Sequence, residues 1–271
     1  MALRPARGAR AAQAARRLHL NRIVSLVPSI TELVCELGLA DQLVGRTGFC
    51  IHPKDVLTNV PKVGGTKSVK LEKVRELAPT HVIVNVDENT REAADALAAF
   101  VPNLIVTHPL GPLDNLALYR QIGRAFGKER EAEVLCARFE SAFQVVLKKD
   151  YPKKSVLYLI WKGPWMTVSR DTYVSRTLAL FGLQTLPESA EARYPEISLG
   201  EPWLRDVDFV LLSTEPYRFR EKHRGELEAI LSKPARLIDG EMTSWYGSRA
   251  IAGLGYLAEF SSRLSSPPAA A

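Results

Sequence analysis

With 271 residues, 46% of them hydrophobic, the chain has material for two lobes of about 110 residues, each able to bury its own core. No stretch approaches the roughly 20 unbroken apolar residues that a spanning helix needs, which argues against an integral membrane protein. The formal charge of +6 comes from residues 1–22, which hold six arginines and no acid; the remainder balances at 30 basic against 30 acidic residues, and a neutral body argues against a nucleic-acid-binding surface.

Residues 1–21 alternate Ala and Arg and read as a disordered basic tail. They lack the apolar core of a secretory signal, so the chain as written reads as cytoplasmic, with a transit peptide or an anionic-surface anchor as the other readings. From Ile23 onward, strands and helices alternate, the pattern of parallel sheets covered by helices. Ile23–Val27 is a β-rich run, and Ser29 with Glu32 reads as a capping box opening a helix that runs to Gly38. Leu43–Arg46 adds a strand. His81–Val86 follows, then a helix capped by Asn89 with Glu92, then strand Leu104–Thr107. From Asp114 to Asp150 the spacing is helical, broken once at Gly127, with Leu135, Phe139, Phe143 and Val146 on one face. Residues 128–150 should form a single helix of roughly 34 Å. Alternation resumes with strand Val156–Ile160, helix Tyr173–Phe181, a helix opened by Ser198 with Glu201, strands Phe209–Leu212 and Arg236–Ile238, and a last helix over Ser248–Arg263.

The expected fold is therefore α/β, two Rossmann-like lobes with parallel sheets joined by one long backbone helix. Its divisions are a lobe at 22–127, the connecting helix at 128–150, a second lobe at 151–264 and a disordered tail at 265–271. The three cysteines, at 35, 50 and 136, form neither a disulfide framework nor a CxxC pair.

Open parallel sheets bind ligands beyond the carboxyl ends of their strands. The loops at those ends offer Phe49, Cys50 and His52, then Asp87, Glu88 and Asn89, then His108. In the second half they offer Trp161, Trp165 and Arg170, then Glu215, Tyr217, Arg218 and Phe219, then Glu241, Trp245, Tyr246 and Arg249. All four tryptophans and seven of the eight tyrosines fall in residues 151–271. So many aromatics in loops suit a flat ligand, since each stacked ring adds about 0.5–1.5 kcal/mol beyond area burial. Cys50, His52, His108, Asp87 and Glu88 include metal-ligand types, without a diagnostic spacing. Cys50 beside a histidine is the one nominal nucleophile and base, and there is no GxSxG elbow.

Taken together, Arg22-Ile-Val-Ser-Leu-Val-Pro-Ser29 entering a helix, Val63-Gly-Gly65 ahead of Leu71-Glu72, Ala78-Pro-Thr-His81 before a strand and a long mid-chain helix resemble a known family. It is the class III type of periplasmic-binding-protein-like chain, the cobalamin and iron-siderophore substrate-binding proteins with a helical backbone, and the likeness is nearest to signal-less cobalamin-binding-like members. The resemblance covers about residues 22–262. It implies a non-enzymatic protein, expected to be a monomer, that holds cobalamin, another corrinoid or a related metal chelate in a cleft between the lobes, for uptake or intracellular handling, with no covalent cofactor. Trp161, Trp165, Tyr217, Trp245 and Tyr246 become ring-facing candidates, His52 or His108 an axial ligand, and Arg170, Arg218 and Arg249 partners for ligand carboxylates, amides or phosphate. Glu72 and Glu201 fall where exported members dock on an ABC transporter permease, and export would make the chain periplasmic. The competing readings are a metal-dependent hydrolase or transferase using Cys50, His52, His108 and Glu241, and a scaffold for a partner protein.

Overall fold

The computed structural model describes residues 21–188 and 191–265. Of the tails expected at 1–21 and 265–271, all but Asn21 and Ser265 lies outside the described residues. The chain divides after His108 into two compact units.

The first unit is built on a four-stranded, wholly parallel sheet of β1 (Ile23–Ser25), β2 (Leu43–Arg46), β3 (His81–Asn85) and β4 (Asn103–Thr107), in the order β2-β1-β3-β4. β1 is buried along its whole length and β3 over Val82–Asn85, as strands covered on both faces must be. Val24, Leu26, Val63, Val74, Val82, Val84, Leu97 and Val101 form one apolar cluster. Around the sheet lie α1 (Pro28–Glu36), α2 (Lys54–Leu57), α3 (Leu71–Glu76) and α4 (Arg91–Ala98).

Two expected capping boxes are absent. α1 begins one residue early because Pro28, with its fixed φ and missing N–H, occupies the first turn, and Val27 is the N-cap without a side-chain bond. Ser29 is then inside the helix, its hydroxyl buried without a partner. At α4 the cap is Thr90, whose Oγ1 accepts from Ala93 N–H at 3.2 Å. Asn89 is engaged elsewhere: its Oδ1 accepts from Asn85 N–H at 2.9 Å and its amide donates to the Thr66 carbonyl at 3.0 Å.

The second unit opens with α5 (Asp114–Phe126) and α6 (Glu129–Leu147), separated at Gly127, whose φ of +64° gives the left-handed helix end that glycine adopts without strain. Tyr119 meets Phe139 edge to face at 6.3 Å, locking α5 to α6. The 19 residues of α6 span about 28 Å. A second parallel sheet follows, made of β5 (Lys154–Leu159), β7 (Leu183–Thr185), β9 (Phe209–Ser213) and β10 (Ala235–Ile238) in the order β10-β9-β5-β7. A two-stranded antiparallel ribbon joins β6 (Trp165–Met166) to β8 (Glu196–Ile197). α7 (Tyr173–Ala179), α8 (Glu221–Leu231), α9 (Gly240–Ser244) and α10 (Arg249–Ser265) complete the unit. Its core holds Leu157, Leu159, Leu204, Val207, Val210, Leu212, Phe219 and Leu227. The helix expected from Ser198 is instead a short 3-10 turn over Pro202–Asp206 with Glu201 at its N-cap, because Pro202 starts the turn there; Ser198 Oγ accepts from Gly200 N–H.

Candidate functional site

At the carboxyl edge of the first sheet, the loop after β2 is pinned from within. Arg46 is buried and its guanidinium donates to the carbonyls of Leu57 at 3.0 Å, Thr47 at 3.1 Å and Cys50 at 2.9 Å. With its backbone held, the loop turns Cys50 inward and its neighbours outward. Cys50 has no exposed surface, the Thr31 and Thr47 hydroxyls lie 3.0 and 3.1 Å from its sulfur, and burial pushes the thiol above its ordinary range. That removes it as a nucleophile or a ligand contact. Phe49 is 62% exposed and Ile51 49%, two apolar side chains offered to solvent from a fixed loop, and Val86 after β3 is likewise exposed. His52 is half-buried ahead of a cis proline at 53.

After β3, Asp87 binds back to its own unit. Its carboxylate stands 3.5 Å from His108 Nε2, and its carbonyl accepts from Lys67 Nζ at 2.7 Å. Glu88 is half-buried, and Asn89 is a buried clamp of the β3 turn rather than a surface group. Among the described residues no group of three or more His, Cys, Asp and Glu is placed to hold a metal ion.

At the carboxyl edge of the second sheet the rings divide into two sets. Trp161, after β5 and 40% exposed, meets Tyr217, after β9, edge to face at 5.6 Å. Tyr217 leans on Phe219 at 4.7 Å, and Phe219 stacks on Trp165 at 6.3 Å with the planes 7° apart. Phe219 is only 2% exposed, so it is the floor of this wall, not a surface of it. Lys162 Nζ lies 5.3 Å above the Trp165 ring and bonds the Glu226 carboxylate at 2.6 Å.

Trp245 and Tyr246 form the other set, and both are buried. Tyr246 packs on Tyr173 at 5.6 Å. The next residue, Gly247, is bolted to α5: its N–H donates to Asn115 Oδ1 at 2.7 Å and its carbonyl accepts from Tyr119 Oη at 2.9 Å. The expectation that both rings face a ligand is therefore corrected, since partners from α5 and α7 hold this segment inward. Arg249 lies over the Trp245 ring at 4.9 Å and pairs with Glu241 at 3.1 Å. Glu215 accepts hydrogen bonds from Trp245 and Ser244, yet burial first, and the Glu241 charge second, raise its carboxyl from 4.5 to about 7. Gly240 lets this turn close: a Cβ there would stand 2.5 Å from Ser213 Oγ and 2.6 Å from Glu215 N.

Of the remaining arginines, Arg218 is exposed, whereas Arg170 is paired with Glu188 at 2.9 Å and donates to the Thr185 carbonyl at 3.2 Å. Glu72 projects from α3 into solvent, 3.7 Å from Arg75, and Glu201 is half-buried at the 3-10 turn. Sequence reading missed Arg46, Val86 and His223. The first two stand at the carboxyl ends of strands, where the rule used for the others would have found them; His223 lies in a helix that was not foreseen.

The model of a family described as periplasmic binding protein matches residues 23–235. A vitamin B12-binding protein of Vibrio campbellii is 25% identical over 198 residues, covering 71% of this chain and 70% of that protein. The uncharacterized ABC transporter substrate-binding lipoprotein YvrC of Bacillus subtilis is 26% identical over 261 residues, covering 88% and 79%. Among solved structures, the periplasmic vitamin B12 binding protein BtuF of Vibrio cholerae shares the fold, with a TM-score of 0.78 at 15% identity over 91% of this chain and 98% of that one. These are binding proteins and not enzymes, and the hydrolase or transferase reading falls with them. The cytoplasmic reading is corrected as well: the family and the matching structure are described as periplasmic and the Bacillus subtilis relative as a lipoprotein, which points outside the cytoplasm. A short arginine-rich stretch carries too little information to outweigh a family match across most of the chain.

Proposed function

We propose, for a chain that belongs to the periplasmic binding protein family, that its small-molecule ligand is a flat metal chelate of the corrinoid type, cobalamin or a close relative, passed on to an ABC permease. The observation that carries this reading is the wall of Trp161 and Tyr217 resting on Phe219 and Trp165. Rings fixed by other rings lose little freedom on binding, and each stacked contact is worth about 0.5–1.5 kcal/mol. Exposed Phe49, Ile51 and Val86, after strands of the first sheet, supply apolar side chains that such a ligand could cover. The vitamin B12-binding relative supports the same ligand class. On this reading His52 and His108 are the nearest axial-ligand types, Arg218 and Arg249 meet ligand amides or phosphate, and Glu72 and Glu201 are the acids a permease would engage.

The test is calorimetric titration with cyanocobalamin, dicyanocobinamide, haemin and a ferric siderophore. The corrinoids should bind most tightly, and Trp161→Ala should weaken them about tenfold, one stacked ring converted to affinity. Saturable binding by none of the four chelates refutes the reading.

A further inference from the structure

The aromatic wall leans on a histidine. His223, in the first turn of α8, is 5% exposed, with its ring centroid 5.7 Å from Tyr217 and 5.5 Å from Phe219, edge-on to the latter at 89°. Its Nδ1 accepts the backbone N–H of Arg220 at 2.9 Å, and its own backbone N–H donates to the Arg220 carbonyl at 2.9 Å. An acceptor Nδ1 places the proton of the neutral ring on Nε2. Arg220 follows Phe219 directly, and Phe219 N–H bonds the Tyr217 carbonyl at 2.9 Å. The imidazole therefore holds both the backbone of the 217–220 turn and the two rings that the turn carries.

We infer that His223 is the positioning residue of the aromatic wall: its unprotonated Nδ1 fixes the 217–220 turn so that Tyr217, and Trp161 against it, stand in place, and a proton on Nδ1 releases them. The inference rests on the reading of Trp161 and Tyr217 as ligand-facing. Protonation turns the acceptor into a donor aimed at another donor, and leaves the Arg220 N–H without its partner. The surroundings offer the new charge little help. Lys162 from the loop after β5, Lys222 from α8 and Arg220 from the turn all oppose it, and Glu226, the acid that favours it, is already bound to Lys162 at 2.6 Å. Burial and these cations hold the imidazole below its ordinary 6.5, so the ring is neutral at pH 7.

The experiment compares the wild type with His223→Gln and His223→Phe over a pH series from 7.5 down to 4.0, reading cyanocobalamin affinity and the near-ultraviolet circular dichroism of the ligand-free protein. Glutamine at the third helical position accepts the same N-cap N–H and does not titrate; phenylalanine keeps a ring and loses the acceptor. At the acid end, where Nδ1 takes its proton, the wild type should bind about tenfold more weakly, the equivalent of one buried hydrogen bond, and its tryptophan signal should shrink. His223→Gln should hold its affinity across the series, and His223→Phe should be weakened throughout. A wild type indifferent to pH, or a slope as steep in His223→Gln, overturns the inference. If cyanocobalamin does not bind at all, the ligand reading fails, and the ligand-free spectra still decide: a pH-dependent tryptophan change larger than that of His223→Gln sustains the positioning role, and a change equal in both, the share that Glu215 beside Trp245 supplies, sinks it.

Discussion

Replacing Glu215 by glutamine should make the protein more stable at alkaline pH and leave it unchanged in acid. In the folded chain burial and the neighbouring Glu241 raise the Glu215 carboxyl from 4.5 to about 7, against the pull of hydrogen bonds from Trp245 and Ser244. A carboxyl whose folded value lies above its unfolded value is protonated more readily in the native state. Its contribution to stability is therefore fully present below about pH 4.5 and is lost as the pH rises through about 7. At about 1.4 kcal/mol per pH unit, the loss reaches about 3 kcal/mol by pH 8. Glutamine keeps an oxygen for Trp245 and Ser244 and never ionises, so Glu215→Gln should gain about 2–3 kcal/mol at pH 8 and nothing at pH 4.5. Urea melts of both proteins at pH 4.5, 6 and 8 measure this through the midpoint at constant slope. A gain independent of pH, or a loss at pH 8, would refute the account of a carboxylate ionising against its surroundings.

Gly240→Ala should destabilise the second unit by about 1–3 kcal/mol, because the new methyl would meet Ser213 Oγ at 2.5 Å and Glu215 N at 2.6 Å; denaturant melts would show it. Tyr119→Phe removes the donor to the Gly247 carbonyl, 2.9 Å away and buried, and should cost about 1–2 kcal/mol while keeping the ring contact with Phe139; a midpoint equal to wild type would contradict that bond.

Much of the architecture was readable because it repeats along the chain. Strand β2 at Leu43–Arg46 and the helix break at Gly127 match the expected positions, since an apolar run and a glycine between two periodic stretches are local features. The capping boxes failed for a different reason. Ser29 with Glu32 and Asn89 with Glu92 have the right residues at the right spacing, but Pro28 and Thr90 competed for the same helix starts and won. Helix α8 escaped notice because it buries just His223 and Leu227, too thin a stripe to register as a period. Strands β6, β7 and β8, of two or three residues, are too short for any alternation to show.

The candidate site was legible as a set of loops and not as a set of surfaces. Phe49, Cys50 and Ile51 look alike as a loop triplet, and the buried Arg46 guanidinium decides that the outer two face solvent and the middle one does not. Phe219, Trp245 and Tyr246 match the exposed rings in type and in place along the chain, and each is buried.

What the order of residues determined unaided is the α/β class and the strand polarity, because the alternation of apolar runs with helical spacing leaves parallel sheets as the packed solution, and parallel strands set all their carboxyl ends on one edge. Which side chains at that edge meet a ligand was decided by the tertiary structure alone. A ring turns inward when a partner from a remote segment is there to receive it, as Tyr173 receives Tyr246 and as Trp165 and His223 enclose Phe219, and no local pattern reports the arrival of such a partner.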